Sequence, residues 1–259
     1  MSSAPLSKTC RDRPALWLWP GQALYVGPSL ELDVHAGTVS CLAVGVDAEF
    51  TVHLEDGTRH TARTALVAAR VRHRITTHGE RMAFCYLDPA SARERACRLM
   101  TAGGSPELAL AHRHGHRLAR LAATMDGGTP AATARRWLDL AGPDDRAHAP
   151  DPRIRKVTRR MTEDAGQRLP AAELAAEAGL SVSAFLRLFR EQTGTTFRRY
   201  RLWARMLRVA ALLDTRPDLS TAAVEAGFAG PSHFSSSFHA MFGFRPSRLL
   251  SQGVTITAA

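Results

Sequence analysis

Cysteine is scarce in this chain: Cys10, Cys41, Cys85 and Cys97 are the four in 259 residues. No two stand in a CxxC spacing, which argues against a zinc ribbon or a disulfide scaffold. They read as small core residues of a protein kept in the reducing cytoplasm. Long apolar runs are also missing. None approaches the ~20 residues that a membrane helix needs. The start, Met1-Ser-Ser-Ala-Pro-Leu-Ser-Lys8, has no positive segment followed by an apolar run, so no signal peptide is indicated. Lysine is almost absent. Lys8 and Lys156 are the only two, and the rest of the positive charge is arginine.

What is present points to a polyanionic partner. The net charge is +10, with 45% apolar and 22% charged residues, as in ordinary globular proteins. Residues 151–259 hold 16 Lys+Arg against 9 Asp+Glu, so most of the excess lies in the C-terminal part. A length of 259 residues accommodates two domains.

A short pattern occurs twice, about 48 residues apart. The first copy runs from Glu173 through Gly179, Ser181, Phe185 and Phe189 to Gly194. The second runs from Thr221 through Gly227, Phe234 and Phe238 to Gly243. Each reads as a small-residue helix, a glycine turn and a second helix ending at another glycine. Ala175 and Ala223 let two helices cross closely. Gly179 and Gly227 stand where a helix ends, and glycine adopts the left-handed conformation cheaply. Ser181 or Ser183 can cap the next helix. Phe185, Leu188 and Phe189 fall on one face, as do Phe234, Phe238 and Met241. That leaves Ser183, Leu186, Arg187 and Arg190 outward in the first copy, and Ser232, His233, Ser235, Ser236 and His239 in the second. Such a helix, held by the one before it, suits a DNA major groove. From Thr196 to about Leu213 there is no Pro or Gly. About 18 residues of helix span roughly 27 Å. That is near the ~34 Å between successive major-groove faces on one side of DNA.

The repeat resembles the AraC/XylS family of bacterial transcription regulators. The matching residues are Leu174-Ala175, Gly179-Leu180-Ser181, Phe185, Arg187-Leu188-Phe189-Arg190, Thr193-Gly194, Phe197, Tyr200, Arg205, Ala210 and Leu212-Leu213. In the second half they are Ala223, Ala226-Gly227-Phe228, Ser232-His233-Phe234, Phe238, Phe242-Gly243 and Pro246-Ser247. The resemblance covers about 100 residues. It implies two helix-turn-helix units joined by a linker helix that bind promoter DNA, with RNA polymerase as a further partner. The second head departs from the family, which has basic residues at Ser236 and near His239. From Pro217 to Phe244 there is no Lys or Arg. Without that charge the second head is expected to bind more weakly. Arg248 stands one place from the family's closing arginine.

Along the chain, residues 1–14 read as a flexible arm and 15–89 as short strands broken by turns. The expected strands are Ala15–Leu18, Gln22–Val26, Leu30–His35, Val39–Val46, Phe50–Leu54, Arg59–Arg63, Arg72–Thr77 and Met82–Leu87. Asp56-Gly57 marks a hairpin. The spacing suggests a sandwich or small barrel. Gly45 to Gly57, His73 and the exit Tyr86-Leu-Asp-Pro89 resemble the family's cupin-like sensor domain. The expected fold class is therefore multidomain α+β: a cupin-like β-barrel with flanking helices, followed by an all-α domain. Helices are expected over Ala90–Thr101, Glu107–Met125 and Ala131–Leu140. This segment, 90–141, packs on the barrel or at a dimer contact. Residues 142–152 read as the linker. Asp151-Pro152 opens a helix, with Ile154, Val157 and Met161 facing inward, and 153–250 forms the DNA-binding domain.

No metal or other cofactor is expected. The strands hold no His-x-His; His35 stands alone, and His73 and His78 come later. His112 and His116 lie four apart, a spacing that chelates zinc on a helix, but no carboxylate or cysteine is near in sequence. They read as a solvated basic face. A small effector in the barrel and a homodimer are further expectations.

Ser183, Leu186 and Arg187 are the expected base contacts of the first head, and Ser232, His233, Ser235 and Ser236 those of the second. Arg190, Arg198 and Arg199 are expected to position the unit on phosphates, with Arg205 either a phosphate contact or part of an ion pair. Phe197, Tyr200 and Trp203 read as core. The function expected is non-enzymatic regulation of transcription at promoters. The alternative is a metal-dependent cupin enzyme or a DNA-alkyl-transfer repair protein carrying the same module, which needs a reactive cysteine cluster. A general architectural DNA protein is a third reading, against which two non-identical heads argue.

Overall fold

The computed structural model describes residues 13–30, 32–144, 151–215 and 218–258, the side chains of 214 and 215 excepted. The expected arm up to Asp12, Cys10 within it, and linker residues 145–150 lie outside the described residues. The N-terminal half opens with β1 (Ala15–Trp19), β2 (Gln22–Pro28), β3 (Ser40–Gly45) and β4 (Phe50–Leu54). It continues with β5 (Arg59–Ala62), β6 (Thr64–Val67), β7 (His73–Thr77) and β8 (Arg81–Leu87). Then follow α1 (Ala92–Leu99), β9 (Thr101–Gly104), β10 (Leu108–His112), α2 (Gly115–Ala123) and α3 (Ala131–Ala141). The C-terminal half holds α4 (Pro152–Glu163), α5 (Ala171–Glu177), α6 (Val182–Thr193) and α7 (Phe197–Thr215). It ends with α8 (Leu219–Glu225), α9 (Pro231–Phe242), α10 (Pro246–Leu250) and β11 (Thr255–Ala258).

The expected cupin-like barrel does not close. Eight strands form one open sheet in the order β11-β1-β2-β8-β3-β6-β10-β9, and a separate three-stranded sheet runs β5-β4-β7. The reason lies in the strand sequences. β1, β3 and β6 are buried at every residue, and β2 and β8 at all but one. A sheet with water on one face shows alternation; continuous apolar strands are covered on both faces. Here one face carries Trp17, Trp19, Leu24, Leu42, Leu66 and Cys85, packed under α2 and α3 through Leu118, Ala122, Trp137 and Leu138. The other face carries Leu16, Leu18, Tyr25, Ala43, Phe84 and Tyr86. It packs against Phe50, Val52 and Ile75 of the small sheet and against Trp203, Met206, Phe238 and Phe242 of the C-terminal helices.

The Asp56-Gly57 hairpin forms, with Gly57 at φ 84° and the Thr58 N–H donating to Asp56 Oδ1 at 2.9 Å. Of the strand expected over Leu30–His35, Glu31 lies outside the described residues and the described ones form no strand, although His35 makes an isolated bridge to His73. The helix expected over Glu107–Met125 is instead β10 followed by α2. Gly103-Gly104-Ser-Pro106 turns a hairpin between β9 and β10 rather than separating helices. β11 pairs in parallel with β1, so Thr255–Ala258 becomes an edge of the N-terminal sheet. Among the described residues no helix is long and apolar enough to cross a membrane.

Candidate nucleic-acid interface

The first helix pair is α5 and α6. Gly179, at φ 67°, carries the turn, and the Leu180 N–H donates to Ala175 O at 2.9 Å. Ser181 caps α6 by accepting the Ala184 N–H at 3.3 Å, and left-handed Gly194 closes it. α4 supplies the third wall. Asp151 caps it, Pro152 occupies its first turn, and Ile154, Val157 and Met161 face inward. They meet Leu174, Ala175, Phe185 and Phe189 in one core, where Phe185, Phe189, Phe197 and Tyr200 contact one another at ring distances of 5.4–5.8 Å. With that face committed, Ser183, Leu186, Arg187 and Arg190 are exposed together on the other.

The second pair, α8 and α9, repeats the turn: Gly227 stands at φ 85° and the Phe228 N–H donates to Ala223 O at 3.0 Å. Phe234, Phe238, Met241 and Phe242 are buried. Ser232, His233, Ser236 and His239 are exposed and Ser235 half-buried. His233 is partly engaged, since its Nδ1 accepts the Ala229 N–H at 3.1 Å and its ring meets Phe228 edge-on. The second head has a cation that the sequence reading missed. Arg245, the first residue beyond the Arg-free stretch, precedes α10 and lines a shallow groove of about 510 Å³ with Ser232, Ser235, Ser236 and His239. The only signal in the sequence is its place next to Phe244, two residues past the left-handed Gly243.

The linker helix α7 runs for 19 residues without a break. Its arginines differ in circumstance. Arg198 is exposed. Arg199 is not free. Its Nη1 lies 3.4 Å from Oδ1 of fully buried Asp88, whose Oδ2 accepts the Thr195 hydroxyl at 2.5 Å. The carboxylate thus ties the exit of β8 to the start of α7. Arg205 forms no ion pair among the described residues. Its guanidinium stands 5.9 Å from the centroid of Phe228, its Nε is buried without a partner, and burial followed by Arg201 lowers its pKa. Trp203 is buried, as expected of a core residue.

The N-terminal half touches both heads. Gly194 packs on Ala90 and Ser91, and the Thr38 N–H donates to Ala240 O at 3.0 Å. His35 sits against Gly243, and its ring lies tilted against that of His73 with centroids 4.5 Å apart. His112 belongs to β10 and not to a helix face shared with His116. It is buried, with Nε2 bonded to Ala141 O at 2.8 Å, so the solvated face expected there is wrong for this residue. Cys41, Cys85 and Cys97 are buried free thiols. Burial pushes all three up, Cys97 to about 12. Among the described residues no group of three or more His, Cys, Asp or Glu is placed to hold a metal.

The helix-turn-helix domain family model matches residues 174–252. No curated protein matches the chain. Among solved structures, the apo form of a ToxT variant from Vibrio cholerae strain SCE256 is similar over 91% of this chain and 98% of its own, at 14% identity and a TM-score of 0.52. ToxT from Vibrio cholerae O395 is similar over 90% and 98%, at 13% identity and a TM-score of 0.51. At these identities the likeness is one of fold, and it runs through both halves.

Proposed function

We propose how this protein, a DNA-binding transcription regulator of the AraC/XylS type by its double helix-turn-helix domain, divides recognition between its two heads. The observation that carries the reading is a pair of helices, α6 and α9, each with a short polar face left bare, at the two ends of one unbroken α7. The first head reads sequence. Arg187 pairs with O6 and N7 of a guanine, Ser183 adds a hydrogen bond and Leu186 meets a thymine methyl. Arg190 and Arg198 hold phosphates and fix the register. The second head reads through hydrogen bonds from Ser232, Ser235 and Ser236 and from the free side of His233, while Arg245 supplies the charge that α9 lacks.

Control enters at the junction of the halves. The cavity between Leu16 and Leu18 of β1 and Met206, Phe238 and Phe242 holds about 30 Å³, the space of one water. A small effector that enters here acts by parting β1 from α7, since this cavity is too small to hold it. At a promoter the protein works beside RNA polymerase, in the cytoplasm, and a homodimer occupies paired half-sites.

The test is Arg187→Ala in the full chain. The variant keeps its wild-type melting temperature and loses about 10- to 100-fold in affinity for its promoter site, corresponding to ~1–3 kcal/mol, with little change on random DNA. Unchanged promoter affinity overturns the assignment of readout to α6.

A further inference from the structure

Five arginines meet in one open groove of about 700 Å³. Arg198, Arg199, Arg201 and Arg205 come from α7. Arg70 comes from the loop between β6 and β7, in the other half of the chain, and His233 of α9 also lines the groove. Asp88 engages Arg199. None of the salt bridges among the described residues involves the other four. Four like charges gathered without a paired carboxylate repel one another until an anion arrives. The first turn of α7 also lines the groove, and the amide dipoles at the start of a 19-residue helix favour negative charge there.

Arg70 carries a second mark. Its φ is +69°, a left-handed conformation that glycine or asparagine adopts at lower cost, and its N–H is held by Gly37 O at 2.7 Å. Strain kept at a residue with an exposed charged side chain points to use of that side chain.

We propose that this groove binds phosphate, and that the phosphate belongs to the DNA backbone passing between the two heads, so that Arg70 makes the N-terminal half part of the DNA-binding surface. The inference rests on the two-headed reading given above. DNA is favoured over a free phosphorylated molecule by the layout. Arg198, Arg201 and Arg205 follow one another at intervals of three and four residues, which sets a stripe along α7 roughly 10 Å long. A linear, open track fits a backbone better than a compact anion.

The experiment uses the full chain, wild type and the variants Arg70→Asn and Arg201→Gln, on promoter DNA and on random-sequence DNA across a salt series. Asparagine tolerates the left-handed backbone, so the loop is kept. Each variant is expected to bind both DNAs more weakly and to lower the slope of log affinity against log salt by about 1, with the promoter-to-random ratio unchanged. Slopes equal to wild type overturn the inference, and the two-headed reading then stands or falls by the promoter preference of the wild type. A drop in slope without any promoter preference upholds the groove and removes the promoter reading. A separate arm heats each protein with pyrophosphate and no DNA. Pyrophosphate stabilisation of wild type alone, with slopes unchanged, assigns the groove to a free phosphorylated molecule and overturns the DNA source.

Discussion

Asp88 is fully buried, and three donors converge on it: the Thr195 hydroxyl, the Ala90 N–H and Arg199. Replacing it with alanine leaves those donors without an acceptor at the junction of the two halves. Leaving a buried donor such as the Thr195 hydroxyl without its acceptor costs ~1–3 kcal/mol. Asp88→Ala is therefore expected to melt well below wild type, and an equal melting temperature contradicts the role given to the carboxylate. His73 sets a second expectation. Burial, and then the neighbouring His35, lower its pKa to about 4 against the bonded Val71 carbonyl, so the folded form holds the ring neutral. The unfolded chain binds the proton near pH 6.5. Stability is thus full above about 6.5 and declines as pH falls toward 4, by ~3 kcal/mol in all. Melting curves across that window show the decline in wild type and a shallower one in His73→Leu. Equal slopes in the two proteins exclude His73 as its source. Neither residue announces this in the sequence. Asp88 is visible there only as part of a turn after β8, because its side-chain partners lie 107 and 111 residues further on. By contrast, Asp151, Gly179 and Gly194 act on their own neighbours, so the cap and the turns are legible directly.

The two heads owe their fixed spacing to more than α7. Gly227, at the second turn, lies with its backbone against the backbone of Gly166, which follows α4 of the first head. A Cβ at Gly227 meets Gly166 O at 2.9 Å, and φ there is +85°. Gly227→Ala is expected to destabilise the fold by ~1–3 kcal/mol through strain alone. It also weakens binding to full-length sites more than to half-sites, as competition binding with both DNAs can measure. Equal losses on the two sites contradict a spacing role for this contact. β11 is the other structural tie. Deleting residues 254–259 uncovers the edge of β1 and is expected to lower the melting temperature. Helices with a 3.6-residue stripe are readable because the stripe is local. β6 is a four-residue run buried throughout, which periodicity cannot tell from a loop, and the parallel pairing of β11 with β1 joins residues 240 positions apart in sequence. The same reasoning explains the missing barrel. Strand spacing is local, whereas closure depends on what covers each face, and here α2, α3 and α7–α10 do so.

At the scale of the molecule, the N-terminal sheet and the second head share one hydrophobic core. The heads are therefore presented by the whole chain, with an arginine track between them and polar faces outward. In the proposed mode of binding, α6 and α9 enter successive major-groove turns on one side of the duplex. A hydroxyl-radical footprint of the full-length protein on its promoter site tests it most directly. Two protected patches are expected about one helical turn, ~10.5 base pairs, apart on the same face. Arg187→Ala should erase the patch at the first head. A single protected patch, with the second head leaving no mark, contradicts this mode of binding.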